Sequence, residues 1–216
     1  DQTTDTCTNN FCTLNPLVNQ DGSFSLSQGN LQFLGTGGND HDYGTLAVQG
    51  SGKWYFEVEF DNANTVCYSG FADLSLLDAL SPTSAGLNSF IGMYRNDNTI
   101  KFGTPVTSQS SSNGDIFGFA LNLDASSGSK TVIVQKNGTT LDTITIPTAN
   151  ENNFFVPIVG DTSSSDGTLK CNFGNPIETV SSGNSDAEGF GNFEYSPTIG
   201  GVNYLALCTK NLAEYG

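Results

Sequence analysis

The sequence predicts an all-β protein built from antiparallel strands, and three observations lead to this prediction. Residues 52–60 (GKWYFEVEF) alternate apolar and polar side chains, which places Trp54, Phe56 and Val58 on one face of a strand. The 25 glycines, with abundant Ser, Thr and Asn, indicate many short strands joined by turns. The sequence has no long apolar segment with helical periodicity, so little helix is expected. Because Trp54 is the only tryptophan, we expect the main core to pack over it.

The N-terminal residues 1–22 are polar and irregular apart from one apolar cluster. We expect them to form an arm that lays Phe11, Leu14 and Leu17 against the sheets. The next expected elements are short strands at 24–26 and 31–34, a loop at 35–44, and a segment at 45–48 that leads into the strand of Trp54.

After the strand of Trp54, residues 61–64 form a predicted turn, and 66–71 form a strand that we expect to pair back antiparallel to the first. Leucines in 73–89 are spaced for one or two helical turns. The elements expected next are a strand pair at 90–94 and 99–102 and a mobile Ser-rich loop at 108–114.

The strand that follows Gly114 is predicted to be central in its sheet. Its large side chains, which include Phe117, Phe119 and Leu121, fall on one face, while Gly118 and Ala120 lie opposite. Small residues on that face let another layer approach closely.

A hairpin is predicted from 131–136 to 139–146, because Asn137-Gly138 supplies the positive φ angles of a type I′ turn. Residues 137–139 also match a glycosylation sequon, and we favour the turn. Strands at 154–159 and 168–173 flank a Ser-rich loop at 161–167.

Four of these segments resemble SPRY domains and occur in the order of that family. They are residues 52–58 (GKWYFEV), 114–124 (GDIFGFALNLD), 134–138 (VQKNG) and 155–157 (FVP). The resemblance implies an antiparallel two-sheet β-sandwich, a concanavalin A-like jelly roll, at 23–178. An N-terminal arm at 1–22 would pack on it, and a C-terminal tail would occupy 179–216.

The two ends of the chain resemble SPRY-bearing virion proteins of tailed phages. The segments concerned are 8–16 (TNNFCTLNP), 183–197 (GNSDAEGFGNFEYSP) and 204–212 (YLALCTKNL). This resemblance implies a virion protein assembled in the host cytoplasm, in contact with other virion proteins, and a homo-oligomer is expected. The first hypothesis is a tail-fibre or tail-associated module that contacts a host surface receptor, either a protein or a glycan. A capsid decoration or head-fibre subunit is the alternative, and a glycan-degrading enzyme is a distant third.

Composition excludes several other classes of protein. The net charge of −15, from 22 acidic and 7 basic residues, would repel nucleic acid and anionic membranes. No run of about 18 apolar residues exists, so membrane insertion is not expected. The five cysteines form no CxxC motif, and we expect Cys67 and Cys171 to be small buried residues of a protein made in a reducing compartment. No cofactor is predicted.

Glu57 and Glu59 are the one pair whose spacing permits acid–base chemistry. Two residues of a strand separate Cα atoms by about 6.8 Å, which is compatible with the carboxyl separations of glycosidases. The matching SPRY strand, however, carries acidic residues here without catalysis, and we expect Asp61 on the opposite face, so that no third carboxylate continues the spacing. We therefore interpret this face as solvated and predict no enzyme.

Residues 39–42 (NDHD) contain the only histidine, His41, between two carboxylates. Asp40 and Asp42 are weak candidates for a hard cation, since oxygen ligands suit such ions. The segment lacks the spacing of a calcium loop, and Asp and Asn are ordinary turn residues. A catalytic triad through His41 has no motif to support it. No metal site is predicted.

The SPRY resemblance implies that loops rim a shallow surface that binds a protein partner. The loops concerned are 35–44, 74–89, 103–113 and 161–167. Aromatic and Arg side chains are the usual anchors of such surfaces. The predicted binding residues are therefore Tyr43, Tyr94, Arg95 and Phe102.

Overall fold

The computed structural model describes residues 5–17, 24–35, 40–62, 66–79, 86–95, 98–162 and 167–216. Predictions for residues 1–4, 18–22, 36–39, 63–64, 80–85 and 163–166 lie outside these ranges. The described strands are, in chain order, β1 (Phe24–Ser27), β2 (Gln32–Gly35), β3 (Asp40–Tyr43), β4 (Lys53–Asn62), β5 (Cys67–Asp73), β6 (Phe90–Tyr94), β7 (Asn98–Lys101), β8 (Thr104–Ser108), β9 (Asp115–Asn122), β10 (Thr131–Lys136), β11 (Thr139–Thr145), β12 (Phe155–Asp161), β13 (Thr168–Asn172), β14 (Thr198–Ile199), β15 (Val202–Asn203) and β16 (Leu205–Ala206). Two 3-10 helices, at Leu74–Ala79 and Gly86–Ser89, lie between β5 and β6, and one α-helix, α1, spans Thr209–Tyr215.

All of these strands except β14 and β15, which pair with each other, form the predicted two-sheet antiparallel sandwich. The larger sheet has the order β1-β2-β13-β4-β9-β10-β11, and β16 adds to β4 in parallel. The smaller sheet has the order β3-β12-β5-β6-β7-β8. Within the described ranges, no helix is long and apolar enough to cross a bilayer.

The core between the sheets contains the residues that the alternation predicted. Phe56 of the larger sheet meets Phe71 of the smaller one edge to face, with ring centroids 5.0 Å apart. All six predicted core side chains are fully buried: Trp54, Phe56, Val58, Phe117, Phe119 and Leu121. The predicted central position of β9 is also confirmed, because β9 pairs with β4 on one side and with β10 on the other.

The predicted pairing of the strand at 66–71 with the strand of Trp54 is wrong. This strand is β5, which lies between β12 and β6 in the smaller sheet. All seven residues of β5 are buried. Burial on both faces is typical of a strand in the middle of a covered sheet. Because β4 and β5 belong to different sheets, the chain crosses from the larger sheet to the smaller one after β4.

Two further strands and one side chain differ from expectation. The predicted loop at 35–44 contains β3, whose four residues are all buried against β12. The edge strand β8 was not predicted. In the arm, Phe11 and Leu14 pack as expected, whereas Leu17 is 90% exposed and makes no such contact.

The C-terminal tail covers the outer face of the larger sheet as a third layer. Tyr55, on the face of β4 opposite Trp54, packs edge to face on Phe193, with ring centroids 5.1 Å apart. A Cβ atom at Gly118 would lie 2.6 Å from the Tyr55 hydroxyl. Gly118 therefore allows the close approach that its small size predicted.

The N-terminal arm is bonded to the same layer. The backbone N–H of Cys12 donates to the carbonyl of Leu207 at 2.8 Å, and the N–H of Thr209 donates to the carbonyl of Asn10 at 2.9 Å. The arm and the tail thus form one unit beside the larger sheet.

Candidate binding surface

The sequence predicted a solvated face for Glu57. In the structure this prediction is wrong, because the Glu57 side chain lies beneath the tail and is only 2% exposed. Its Oε1 accepts hydrogen bonds from the Tyr55 hydroxyl (3.0 Å) and the Tyr195 N–H (2.8 Å). Its Oε2 accepts from Asn172 Nδ2 (3.1 Å) and the Glu194 N–H (2.9 Å). Burial raises the pKa of Glu57, and these donors oppose that shift. A carboxylate with both oxygens used in this way anchors the tail to β4.

The expectation that Asp61 faces away from Glu59 is wrong. Lys170 Nζ lies 3.8 Å from Glu59 Oε2 and 3.3 Å from Asp61 Oδ2, so the two carboxylates share a face. Positions 57, 59 and 61 have the same parity along β4, which requires this arrangement. Lys170 also pairs with Glu178 at 2.7 Å. The tail therefore hydrogen-bonds the carboxylate of Glu57, and Lys170 pairs with the carboxylates of Glu59 and Asp61.

The candidate cation ligands lie in β3 rather than in a loop. Asp40, His41 and Asp42 are all buried. Asp42 Oδ1 accepts the N–H of Tyr43 at 2.8 Å, and burial raises the pKa of Asp42 to about 7. In the described part of the chain, no three His, Cys, Asp or Glu side chains are grouped so that they could hold a metal ion. All five cysteines have free thiols, with Cys7 exposed and the others buried.

The four predicted binding residues do not form one surface. Tyr43 lies in a strand and is only 7% exposed, and Phe102 packs against the main core. Tyr43 and Tyr94 contribute to a second apolar cluster on the outer side of the smaller sheet. Arg95 is half-buried and donates through Nη1 to Asn113 Oδ1 at 2.8 Å. Tyr94 and Arg95 are thus the only adjacent pair among these four residues that retains accessible surface.

At the other end of the smaller sheet, the start of the 3-10 helix after β5 and the loop before β12 expose two large apolar side chains next to each other. Leu74 is 42% exposed and Phe154 is 47% exposed. The N–H of Leu74 donates to the carbonyl of Phe154 at 2.8 Å. They border a cavity of about 260 Å³, and we call its lining residues the loop platform: Gln49, Leu74, Ser75, Asn152, Asn153 and Phe154.

A buried carboxylate fixes the shape of the loop platform. Asp73 Oδ2 accepts hydrogen bonds from Asn150 Nδ2 at 2.7 Å and from Asn153 Nδ2 at 2.8 Å. Asp73 Oδ1 accepts from the N–H and the hydroxyl of Ser75. Because Asp73 is fully buried, these bonds hold the loops after β5 and before β12 in one arrangement.

Two more bonds connect the neighbouring loops. Gln49 Nε2 donates to the carbonyl of Asn152 at 2.6 Å. Lys130 Nζ donates to the carbonyls of Gly50 (3.1 Å) and Glu151 (3.4 Å). The apolar centre of the platform therefore has a polar, hydrogen-bonded support.

The sequence prediction included Leu74, as part of a candidate loop, but missed Phe154. A signal existed in the pair Phe154-Phe155. Neighbouring residues of a strand point to opposite faces, so only one of two adjacent phenylalanines can enter the core. Phe155 is fully buried in the structure, and Phe154 points away from it.

Comparison with known proteins supports the fold. No protein-family model matches the sequence, and no curated protein matches it. The structure is similar to the SPRY domain of human HERC1, with 17% identity over 72% of this chain and 94% of that chain and a TM-score of 0.50. It also matches a human SPRY domain (12% identity, 72% and 96% coverage, TM-score 0.44) and the neuralized NHR1 domain of Drosophila melanogaster (12%, 74% and 97%, TM-score 0.45). The two antiparallel sheets and the similarity to the HERC1 domain show that the chain has a SPRY-like fold.

Proposed function

We propose that the chain is a non-catalytic binding module of a phage virion, in a tail-fibre or tail-associated protein, that contacts the host surface through the loop platform. The observation that carries this proposal is the exposure of Leu74 and Phe154 side by side on hydrogen-bonded loops. Contiguous exposed apolar surface with a polar rim is typical of interaction sites. Loops that are already ordered lose little entropy on binding.

The chemistry of the platform favours a protein partner. The Asn152 amide can donate and accept hydrogen bonds beside the two apolar side chains, and the side-chain oxygens of Gln49 and Asn153 can accept them, while the nitrogens of those two amides donate within the platform. With a net charge of −15, the module associates best with a neutral or basic surface. The partner we propose is a host surface protein that inserts an apolar side chain between Leu74 and Phe154.

A capsid decoration or head-fibre subunit is the second candidate. The observation that favours it is the third layer, in which the arm and the tail are bonded to each other and to the larger sheet. Such a layer offers a large, chain-specific face for neighbouring subunits in a homo-oligomer. Glu57, enclosed by the tail, gives no support to the glycan-degrading alternative.

The test is binding of the labelled, purified protein to intact susceptible cells, with a resistant strain as control. We expect saturable binding to susceptible cells only, and a loss of about tenfold or more in affinity for Leu74→Ala combined with Phe154→Ala. Val106→Ala is the matched control, because Val106 is 44% exposed on β8, away from the platform.

Two results would count against the proposal. Unchanged binding by the double variant would remove the platform from the binding site. Absence of binding by a folded sample in its native oligomeric state would reject the host-contact function and favour virion decoration. Labelling of the protein within intact particles would then locate it on the capsid or the tail.

A further inference from the structure

We infer a second binding site, for a saccharide that carries a carboxylate, in the groove between the arm and the tail. The groove has a volume of about 370 Å³. That volume lies within the range of small-molecule sites, roughly 300–1,000 Å³. The lining side chains that matter to the inference are Thr6, Thr8, Phe190, Asn192 and Lys210. None of them belongs to the loop platform, so this site does not depend on the proposed function.

The groove is held open by a buried carboxylate in the tail. Asp186 Oδ1 accepts the N–H of Phe190 at 2.8 Å and the N–H of Glu188 at 3.0 Å. Asp186 Oδ2 accepts the N–H of Ala206 at 2.9 Å and Asn211 Nδ2 at 2.8 Å. These bonds fix the turn that carries Phe190 relative to β16 and α1.

The arm forms the opposite wall. Asn9 is buried, and its Oδ1 accepts the N–H of Lys210 at 3.2 Å. Asn10 N–H donates to the hydroxyl of Thr209 at 3.0 Å. Both walls are therefore positioned by specific hydrogen bonds, and the groove is preformed.

Two glycines let the base of the groove pack closely. Gly174 and Gly191 have φ angles of 120° and 83°, which disfavour other residues. A Cβ atom at Gly174 would lie 3.0 Å from the Cα of Gly191 and 2.5 Å from the Phe11 ring. The lack of a side chain at Gly174 and Gly191 therefore lets the Phe11 ring and the two main-chain segments pack closely at the base of the groove.

The charged side chain that lines the groove is a lysine, Lys210. Lys53, Lys136 and Lys170 each pair with a carboxylate, whereas Arg95, Lys101 and Lys130, like Lys210, make no ion pair among the described residues. In the described part of the chain, the Lys210 ammonium makes no ion pair, and no Asp or Glu lines the groove. A cation without a partner, in a chain with 22 acidic residues, suits an anionic group of a ligand.

The remaining lining selects a sugar among anions. The half-buried Phe190 ring offers a flat surface for the C–H face of a pyranose, and the Thr8 hydroxyl and the Asn192 amide match sugar hydroxyls. The Thr6 hydroxyl accepts the N–H of Asn9 at 3.0 Å and orders this wall. One lysine balances one carboxylate. A phosphate dianion would be opposed by the net charge of the chain. The ligand class is therefore a uronic-acid saccharide.

The experiment is an NMR titration of the full ¹⁵N-labelled chain with a glucuronate-containing disaccharide and its neutral glucose counterpart. We expect chemical-shift changes at residues 189–192 and 210, and binding about tenfold weaker for the neutral sugar and for Lys210→Met. Lys101→Met is the matched control, since it removes the same charge from β7.

Several outcomes would overturn the assignment. Equal binding of both sugars, unchanged binding by Lys210→Met, or no shifts with glucuronate, galacturonate or mannuronate disaccharides would each reject it. Acetate that binds as tightly as the disaccharide would indicate a nonspecific anion site. A glutamate-containing peptide that competes equally would indicate a protein ligand. A folded spectrum of each variant confirms that the loss of binding is local.

Discussion

The Oε1 atom of Glu57 accepts the backbone N–H of Tyr195 at 2.8 Å, across 138 positions of sequence. This bond joins the central strand β4 to the tail. With the bonds from Glu194, Asn172 and Tyr55, it makes a buried carboxylate the attachment point of the third layer.

The first prediction concerns this attachment. In Glu57→Gln, the amide nitrogen would face backbone N–H donors, so one or two hydrogen bonds are lost in a buried setting. We expect a loss of about 1–3 kcal/mol in the free energy of unfolding, with faster proteolysis of residues 180–200. Urea unfolding and limited proteolysis measure these effects.

Glu178→Gln is the control for that change, because Glu178 is exposed and its pairing with Lys170 is a surface ion pair. If both variants unfolded at the same urea concentration, Glu57 would not be an anchor. Cell binding by folded Glu57→Gln should equal that of the parent, because Glu57 lies outside the loop platform.

The second prediction concerns the pH dependence of stability through Asp42. Burial raises the pKa of Asp42 from 3.8 to about 7, so the folded chain retains a proton that the unfolded chain releases. Below pH 3.8, the pKa of Asp42 in the unfolded chain, Asp42 makes its full contribution to the free energy of unfolding. As the pH rises from 3.8 to the folded-state pKa of about 7, this contribution is lost, by up to about 1.4 kcal/mol per pH unit.

Asp42→Asn removes this titration and retains an oxygen that accepts the Tyr43 N–H. We expect the stability of the variant to change less between pH values near 5 and 8, and to exceed that of the parent at the higher pH. Urea unfolding at several pH values checks this, with Asp61→Asn as a surface control. A parallel pH profile in parent and Asp42→Asn would contradict the prediction.

The third prediction concerns the contact between Gly118 and Tyr55. The added methyl group in Gly118→Ala would lie 2.6 Å from the Tyr55 hydroxyl and 3.0 Å from its Cε2, so the ring must move against Phe193. Overpacking of this kind costs about 1–3 kcal/mol. Thermal unfolding measures the loss.

Removal of the hydroxyl tests the cause. When Tyr55→Phe is combined with Gly118→Ala, we expect the loss in the free energy of unfolding to be smaller than the sum of the losses in the two single variants. Strict additivity would show that Gly118 acts through some other contact.

The fourth prediction concerns the support of the loop platform. In Asp73→Asn, an amide nitrogen replaces an oxygen that accepts from Asn150, Asn153 or Ser75. We expect faster amide hydrogen exchange at residues 74–75 and 150–154, and weaker cell binding. Asp124→Asn is the control, because Asp124 pairs with Lys53 near the surface. Exchange rates in the loops that match those of the control would show that Asp73 does not order them.

Local patterns predicted the strands and the interior well. Alternation over residues 52–60 identified the buried face of β4, and Asn137-Gly138 identified the β10–β11 turn, where the φ angles are 48° and 76°. These features depend on neighbouring residues in sequence, so the chain itself contains their signal.

Features that depend on distant segments were not predicted. The burial of Glu57 results from the segment at 194–195, and no local pattern reports that segment's position. Tyr43 resembled a loop residue because β3 is short and polar, yet β12 covers it. The loop platform likewise joins segments near 49, 74 and 154 that only the fold brings together.

The parallel pairing of β16 with Trp54 and Tyr55 also determines when the larger sheet can be completed during translation. The strand that needs this partner emerges from the ribosome about 150 residues before it, roughly 8–30 s earlier at ordinary elongation rates. Throughout that interval the first residues of β4 lack the strand partner that β16 provides. The larger sheet can therefore be completed only after translation has passed residue 206.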